Sequence, residues 1–149
     1  MERLLSASSS ASTHSYAYDV ANQLLSETSS IPALPNPLVT AYTYDLDGNR
    51  ASLSYPDSSV VDYTYTGRNQ LKEISAGGPP PLATYAYDLH GNRITKTLEN
   101  GTTASYIYDN ASQLTRVKHM KSATNIAQFD YTLNAVGNRT AKNASGAIP

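Results

Sequence analysis

The chain has 149 residues, long enough for one domain with a hydrophobic core, and a formal net charge of −1, which supplies no basic field for nucleic acid. Charged residues make up 15% of it, below the usual quarter, and its apolar runs are too short to span a membrane. It has no Cys, which excludes disulfides and leaves His14, His90 and His119, without ligand spacing, as a poor basis for zinc.

The aromatic content is skewed: 12 Tyr, one Phe and no Trp. Tyr has an apolar body and a polar tip, which suits a wall with at least one wet face better than a filled core. Residues 1–15 carry one early Arg followed by Ser/Ala-rich sequence, and lack the apolar segment of a signal peptide. This stretch is expected to be a flexible lead-in.

From Tyr16 onward the chain repeats itself. Six copies of a nine-residue pattern can be laid out: Tyr16–Leu24, Tyr42–Arg50, Tyr63–Leu71, Tyr85–Arg93, Tyr106–Leu114 and Tyr131–Arg139. The second aromatic position falls at 18, 44, 65, 87 and 108, with Leu133 in the last copy. In Tyr85–Arg93 the two Tyr side chains lie two residues apart and share one face of an extended strand. Asp88 is placed to accept backbone N–H bonds inside a turn, and Gly91 permits the positive φ that closes a type I turn with a bulge. The residues from Asn92 onward return as the partner strand. Asp19, Asp45 and Asp109 hold the position of Asp88, and Gly48 and Gly137 that of Gly91. Asn22, Asn69 and Ser112 stand at the glycine position in the other copies.

Copies alternate between endings in Gln-Leu and in Gly-Asn-Arg, so the larger unit is a pair recurring every 43 residues, from Tyr44 to Tyr87 and from Tyr65 to Tyr108. Short links follow the Gly-Asn-Arg copies. Pro56 presets a type I turn, and Asn100-Gly101 is the signal of a two-residue hairpin. Longer links follow the Gln-Leu copies at Ser29–Leu38, Ala76–Leu82 and Lys118–Asn125, expected to be loops. The predicted fold is all-β: an antiparallel meander of consecutive hairpins, about a dozen strands over residues 16–142, with a fraying tail at 143–149. The returning strands resist a face assignment, because Leu71 and Ile74, like Leu114 and Val117, are three residues apart.

The pattern Y-x-Y-D-x-x-G-N-R/L resembles that of the YD, or RHS, repeat family, over nearly the whole chain. Thr66, Leu133 and Asn134 depart from the motif. The resemblance implies a continuous β strip of the kind that winds into the hollow shells of bacterial toxin complexes and polymorphic toxins, and into the barrel of the animal teneurins. It implies a structural, partly enclosing role, a secreted or cell-surface setting, and as partners a longer shell chain, a second copy or a toxin cargo. A dozen strands about 4.8 Å apart would make a ring only about 18 Å across. This length therefore fits a section of a wall and not a complete protein-holding shell.

Other chemistry is weaker. Tyr16/Tyr18, Tyr42/Tyr44, Tyr63/Tyr65, Tyr85/Tyr87 and Tyr106/Tyr108 form a ladder that would suit stacking on sugars, against the plainer reading of cross-strand packing. The repetition of the aspartates at one turn position favours capping over catalysis. Asp45–Asn49 lacks the Gly and Glu that a calcium loop needs at its sixth and twelfth positions, where Arg50 and Pro56 stand. Arg50, Arg93 and Arg139 recur at one position and suit stacking on Tyr or contact with an anionic partner. No catalytic set, metal or cofactor is expected. The expected function is a non-enzymatic wall segment, with a carbohydrate or cell-surface binding module as the alternative.

Overall fold

The computed structural model describes residues 3–146; the last residues of the tail expected to fray, 147–149, lie outside it. The fold is an all-β antiparallel meander of thirteen strands whose order in the sheet is their order in the sequence. A short strand β1 (Ser6–Ser8) ladders onto β2 (Thr13–Tyr18), so part of the Ser-rich lead-in is strand. The six copies supply the remaining twelve strands, two each. They are β2 and β3 (Leu24–Ser30), β4 (Leu38–Tyr44) and β5 (Arg50–Ser54), β6 (Val60–Tyr65) and β7 (Leu71–Ala76), β8 (Ala83–Tyr87) and β9 (Arg93–Leu98), β10 (Thr102–Tyr108) and β11 (Leu114–Lys121), and β12 (Thr124–Leu133) and β13 (Arg139–Ser145).

Two compact units divide the chain. The first runs to Asn69 and takes in Ser75–Pro79; the second comprises Gln70–Ile74 and the chain from Pro80 on. Neither unit builds the core that the length allowed. Among the described residues the buried apolar side chains are Ala83, Ala104 and Ala127, all in the second unit, and no larger side chain is fully buried. A meander laid down one layer thick has no second layer to cover its faces, so burial depends on neighbouring side chains within each face.

Every copy turns in the same way. Gly48, Gly91 and Gly137 have φ of 83°, 90° and 83°, and Asn22, Asn69 and Ser112 reach 68°, 57° and 59° at the same position. The N–H of this residue donates to the carbonyl three back, as from Gly91 to Asp88 (3.1 Å) and from Ser112 to Asp109 (3.0 Å). The departures from the motif keep the turn. Asn69 donates to the Thr66 carbonyl and Gly137 to that of Asn134.

A bulge explains the returning strands. Ile107 pairs with Arg116 but Tyr108 pairs with Leu114, leaving Thr115 as an extra residue. The same step skips Leu25, Ala51, Ile94 and Thr140. One extra residue reverses the two-residue alternation. Leu114 and Val117, three apart, therefore both face the tyrosine side, opposite Tyr108 and Tyr106. Thr115 and Thr140 stitch the opened ladder by donating their hydroxyls to the carbonyls of Ile107 and Thr132.

Two links differ from the reading of the sequence. Asn100-Gly101 does not form a two-residue turn. Only Gly101 takes positive φ (78°), its N–H bonds to Leu98, and the loop holds three residues because Asn100 Oδ1 accepts from Thr102 N–H and fixes the chain there. Lys118–Asn125 is not an open loop. Lacking Pro, it continues both strands and reverses at Ser122, which takes φ 52°.

Candidate functional site

The tyrosine face and the rim of Asp-containing turns carry the recurring side chains. Between copies the backbone ladder is incomplete. The pairing of β9 with β10 spans Thr95–Thr97 and stops short of Arg93, and that of β3 with β4 stops at Ser26. The second Tyr of each pair closes this gap. Tyr44 donates to the Leu24 carbonyl (2.9 Å), Tyr65 to Arg50 (2.9 Å), Tyr87 to Leu71 (2.8 Å), Tyr108 to Arg93 (3.0 Å) and Tyr18 to Leu4 (3.1 Å). Each acceptor except Leu4 is the opening residue of the previous copy's returning strand. Burial raises the phenol pKa of Tyr65, Tyr87 and Tyr108. A raised phenol contributes stability that is present below about pH 10 and is lost as pH rises through it. Alkaline unfolding monitored by circular dichroism should therefore set in above about pH 10, with a flatter alkaline limb in a Tyr65→Phe/Tyr87→Phe/Tyr108→Phe variant.

In the second, fourth, fifth and sixth copies the first Tyr lies under a cation, and in the first copy Arg3 lies 5.4 Å from the ring centre of the second Tyr, Tyr18. The Arg50 guanidinium lies 4.7 Å from the Tyr42 ring centre, Arg93 lies 5.9 Å from Tyr85 and 4.6 Å from Tyr106, and Arg139 lies 5.6 Å from Tyr131. Tyr16 and Tyr63 lie on the same face, half-buried, at the equivalent positions of their copies.

At the rim, the alternation of endings becomes a lateral contact. Gln23 and Gln70, from Gln-Leu copies, donate to the carbonyls of Gly48 (3.4 Å) and Gly91 (3.0 Å) in the following Gly-Asn-Arg copies. Asn92 bonds back to Asp88 (3.0 Å) and onward to Ser112 of the next turn (3.0 Å). The turn carboxylates bind their own loops. Asp45 Oδ1 accepts from the N–H groups of Asp47 and Asn49, Asp88 Oδ1 from His90 and Asn92, and Asp109 Oδ1 from Ala111 and Gln113. Asp19 Oδ1 accepts from Gln23 N–H (2.8 Å).

The Asn92 side-chain bond holds the Asp88 carboxyl below the usual carboxylate range, the Ser59 hydroxyl does so for Asp57, and Gln128 and Arg116 do so for Asp130. A depressed carboxyl contributes stability above its ordinary pKa that is lost as pH falls through the folded value. Urea midpoints should therefore decline below about pH 4, and Asn92→Ala should raise the Asp88 titration observed by NMR.

A cavity of about 490 Å³ lies over two neighbouring turns, bordered by Asp88, His90, Tyr106, Asp109 and Ser112 among others. No cluster of three or more metal-ligating side chains occurs among the described residues. No helix among them is long and apolar enough to cross a membrane.

The bulged hairpin, repeated with lateral Tyr and Gln bonds, is a unit of a propagating wall. The Teneurin YD-shell family matches residues 2–145. The chain belongs to that family. The YD-shell is a structural shell domain. Among solved structures the chain is similar in fold to the crystal structure of TcdB2-TccC3-Cdc42, with TM-score 0.81 and 13% identity, covering 97% of this chain and 8% of that one. The crystal structure of TcdB2-TccC3-TEV gives TM-score 0.79 at 13% identity over 95% of this YD-shell chain and 8% of that one. TcdB2-TccC3 without the hypervariable C-terminal region gives 0.79 at 14% over 94% and 8%. This YD-shell chain therefore spans 8% of the length of each of these structures. No curated protein matches it.

Proposed function

We propose that the chain is a non-enzymatic section of a YD-repeat shell that encloses or carries a toxin cargo. The observation that carries this reading is the lateral bonding. The hydroxyls of Tyr44, Tyr65, Tyr87 and Tyr108 reach the backbone of the preceding copy, and Gln23 and Gln70 reach the next turn. Side chains that recur from copy to copy thus serve copy-to-copy continuity.

Light scattering after size exclusion, alone and mixed with a longer YD-repeat chain, tests the reading. Association is the expected result, since edge strands present unpaired backbone groups. A strictly monomeric chain that ignores the longer one would overturn it. The alternative, sugar stacking on the Tyr ladder, has less support because Arg50, Arg93 and Arg139 already lie over the Tyr42, Tyr85, Tyr106 and Tyr131 rings. A glycan-array signal abolished by Tyr85→Ala would replace the shell reading with that one.

A further inference from the structure

Charge is unevenly divided along this chain. The second unit holds eight Lys and Arg against five Asp and Glu, although the whole chain is at −1. Within that unit the charge is also sorted by face. Arg93 and Arg139 lie over tyrosine rings and Lys142 lies 4.3 Å from the Phe129 ring centre, which places all three on the tyrosine face. Lys96 is directly opposite Tyr85 and Ala104, and Lys121 is opposite Thr102, two residues from Ala104 on the same strand. His119 stands between Ala104 and Ala127. Cross-strand partners share a face, so these are five cationic side chains and one His, six basic side chains in all, on one side of the sheet.

The strand carboxylates of the unit lie on the other side. Glu73 opposes Thr84, and Asp130 opposes Arg116 and forms an ion pair with it. Asp88 and Asp109 are bound by their own turns at the rim, and Glu99 sits in the exposed β9–β10 loop. None of the six basic side chains enters the described ion pairs, which join His14 to Glu27 and Arg116 to Asp130. Arg93 Nε is buried with no hydrogen-bond partner.

We propose that the tyrosine face of the second unit binds an acidic polypeptide segment of the cargo. This deepens the shell reading and rests on it. The argument is charge complementarity: a face with five Lys and Arg side chains outside the described ion pairs and no strand carboxylate attracts a chain of opposite sign and repels a basic one. Guanidinium groups suit carboxylates because their paired N–H donors match the two oxygens. A nucleic acid is the weaker fit. Single-strand binding needs open rings for base stacking, and here Arg93, Arg139 and Lys142 already cover Tyr85, Tyr106, Tyr131 and Phe129. Ala83, Ala104 and Ala127 are covered by the longer side chains of this face, so an extended segment lying across the strands meets the basic groups and not the methyls.

The test is fluorescence anisotropy of the full chain with a labelled oligoglutamate of about ten residues, which when extended spans about seven strands. Oligolysine and a single-stranded oligonucleotide serve as comparison probes. Oligoglutamate should bind, oligolysine should not, and affinity should fall at least about tenfold on raising salt to about 0.5 M. Lys96→Gln/Lys121→Gln should weaken binding about tenfold, while Lys118→Gln, on the opposite face, leaves it unchanged. Circular dichroism confirms that the variants keep the β fold. No oligoglutamate binding, equal loss with Lys118→Gln, or tighter binding of the oligonucleotide overturns the proposal. The shell reading fails separately: a chain that associates with a longer YD-repeat chain but ignores oligoglutamate keeps the wall and loses the acidic cargo.

Discussion

Gly91→Val is expected to lower the free energy of unfolding by about 2–3 kcal/mol, measured by urea denaturation. Gly91 has φ +90°, where a side chain costs about 1–2 kcal/mol, and a β-branched one is the worst suited. A Cβ there would lie 3.2 Å from Gln70 Nε2, whose N–H donates to the Gly91 carbonyl. The valine would push that amide away and remove a bond of roughly 0.5–1.5 kcal/mol. Gly91→Asn separates the two effects. Asn22 and Asn69 hold the same position at φ 68° and 57°, so Asn should restore most of the backbone term while still crowding Gln70. A neutral Gly91→Val would remove both the turn and its lateral bond from the account.

Which parts of this architecture were legible follows from how far apart in sequence the cause lies. The turn at Asp88–Gly91 is decided within five residues, so the motif shows it, and its recurrence shows the meander. The bulge at Thr115 was visible only as an anomaly, the three-residue spacing of Leu114 and Val117, because nothing in a single strand says which residue its partner will skip. The bond from Tyr108 to Arg93 joins residues 15 apart and depends on how β9 and β10 part beyond Thr95, which no local preference encodes. Its trace in the sequence was the return of the second Tyr in five of the six copies. Likewise, the alternation of Gln-Leu and Gly-Asn-Arg endings was plain, but its meaning, Gln70 reaching Gly91, needed neighbouring turns in register. At Asn100-Gly101 the strongest local signal gave the wrong loop length, since the pairing of Thr97 with Thr103 sets the register. The thin core was half-legible: 12 Tyr and one Phe signalled wet walls, while the length suggested an interior that Ala83, Ala104 and Ala127 do not supply.

Removing the hydroxyl ladder should produce the other large effect. Tyr87→Phe deletes one donor and leaves the ring, so its cost should be that of one lost bond, roughly 0.5–1.5 kcal/mol. Because each hydroxyl bridges a different pair of copies, Tyr44→Phe, Tyr65→Phe, Tyr87→Phe and Tyr108→Phe combined should lose about 2–6 kcal/mol, near-additively. Hydrogen exchange should localise the loss to amides flanking Leu24, Arg50, Leu71 and Arg93, with protection within each hairpin retained. The sixth copy supplies the reverse experiment. Leu133 occupies the second aromatic position and has no hydroxyl to offer the Leu114 carbonyl. If the tyrosine hydroxyl closes the gap between copies, Leu133→Tyr should raise stability by about 1 kcal/mol and slow exchange near Leu114. A quadruple Phe variant as stable as the parent, together with a Leu133→Tyr that gains nothing, would reduce the second Tyr to a packing residue and leave the turn-rim glutamines as the lateral joint.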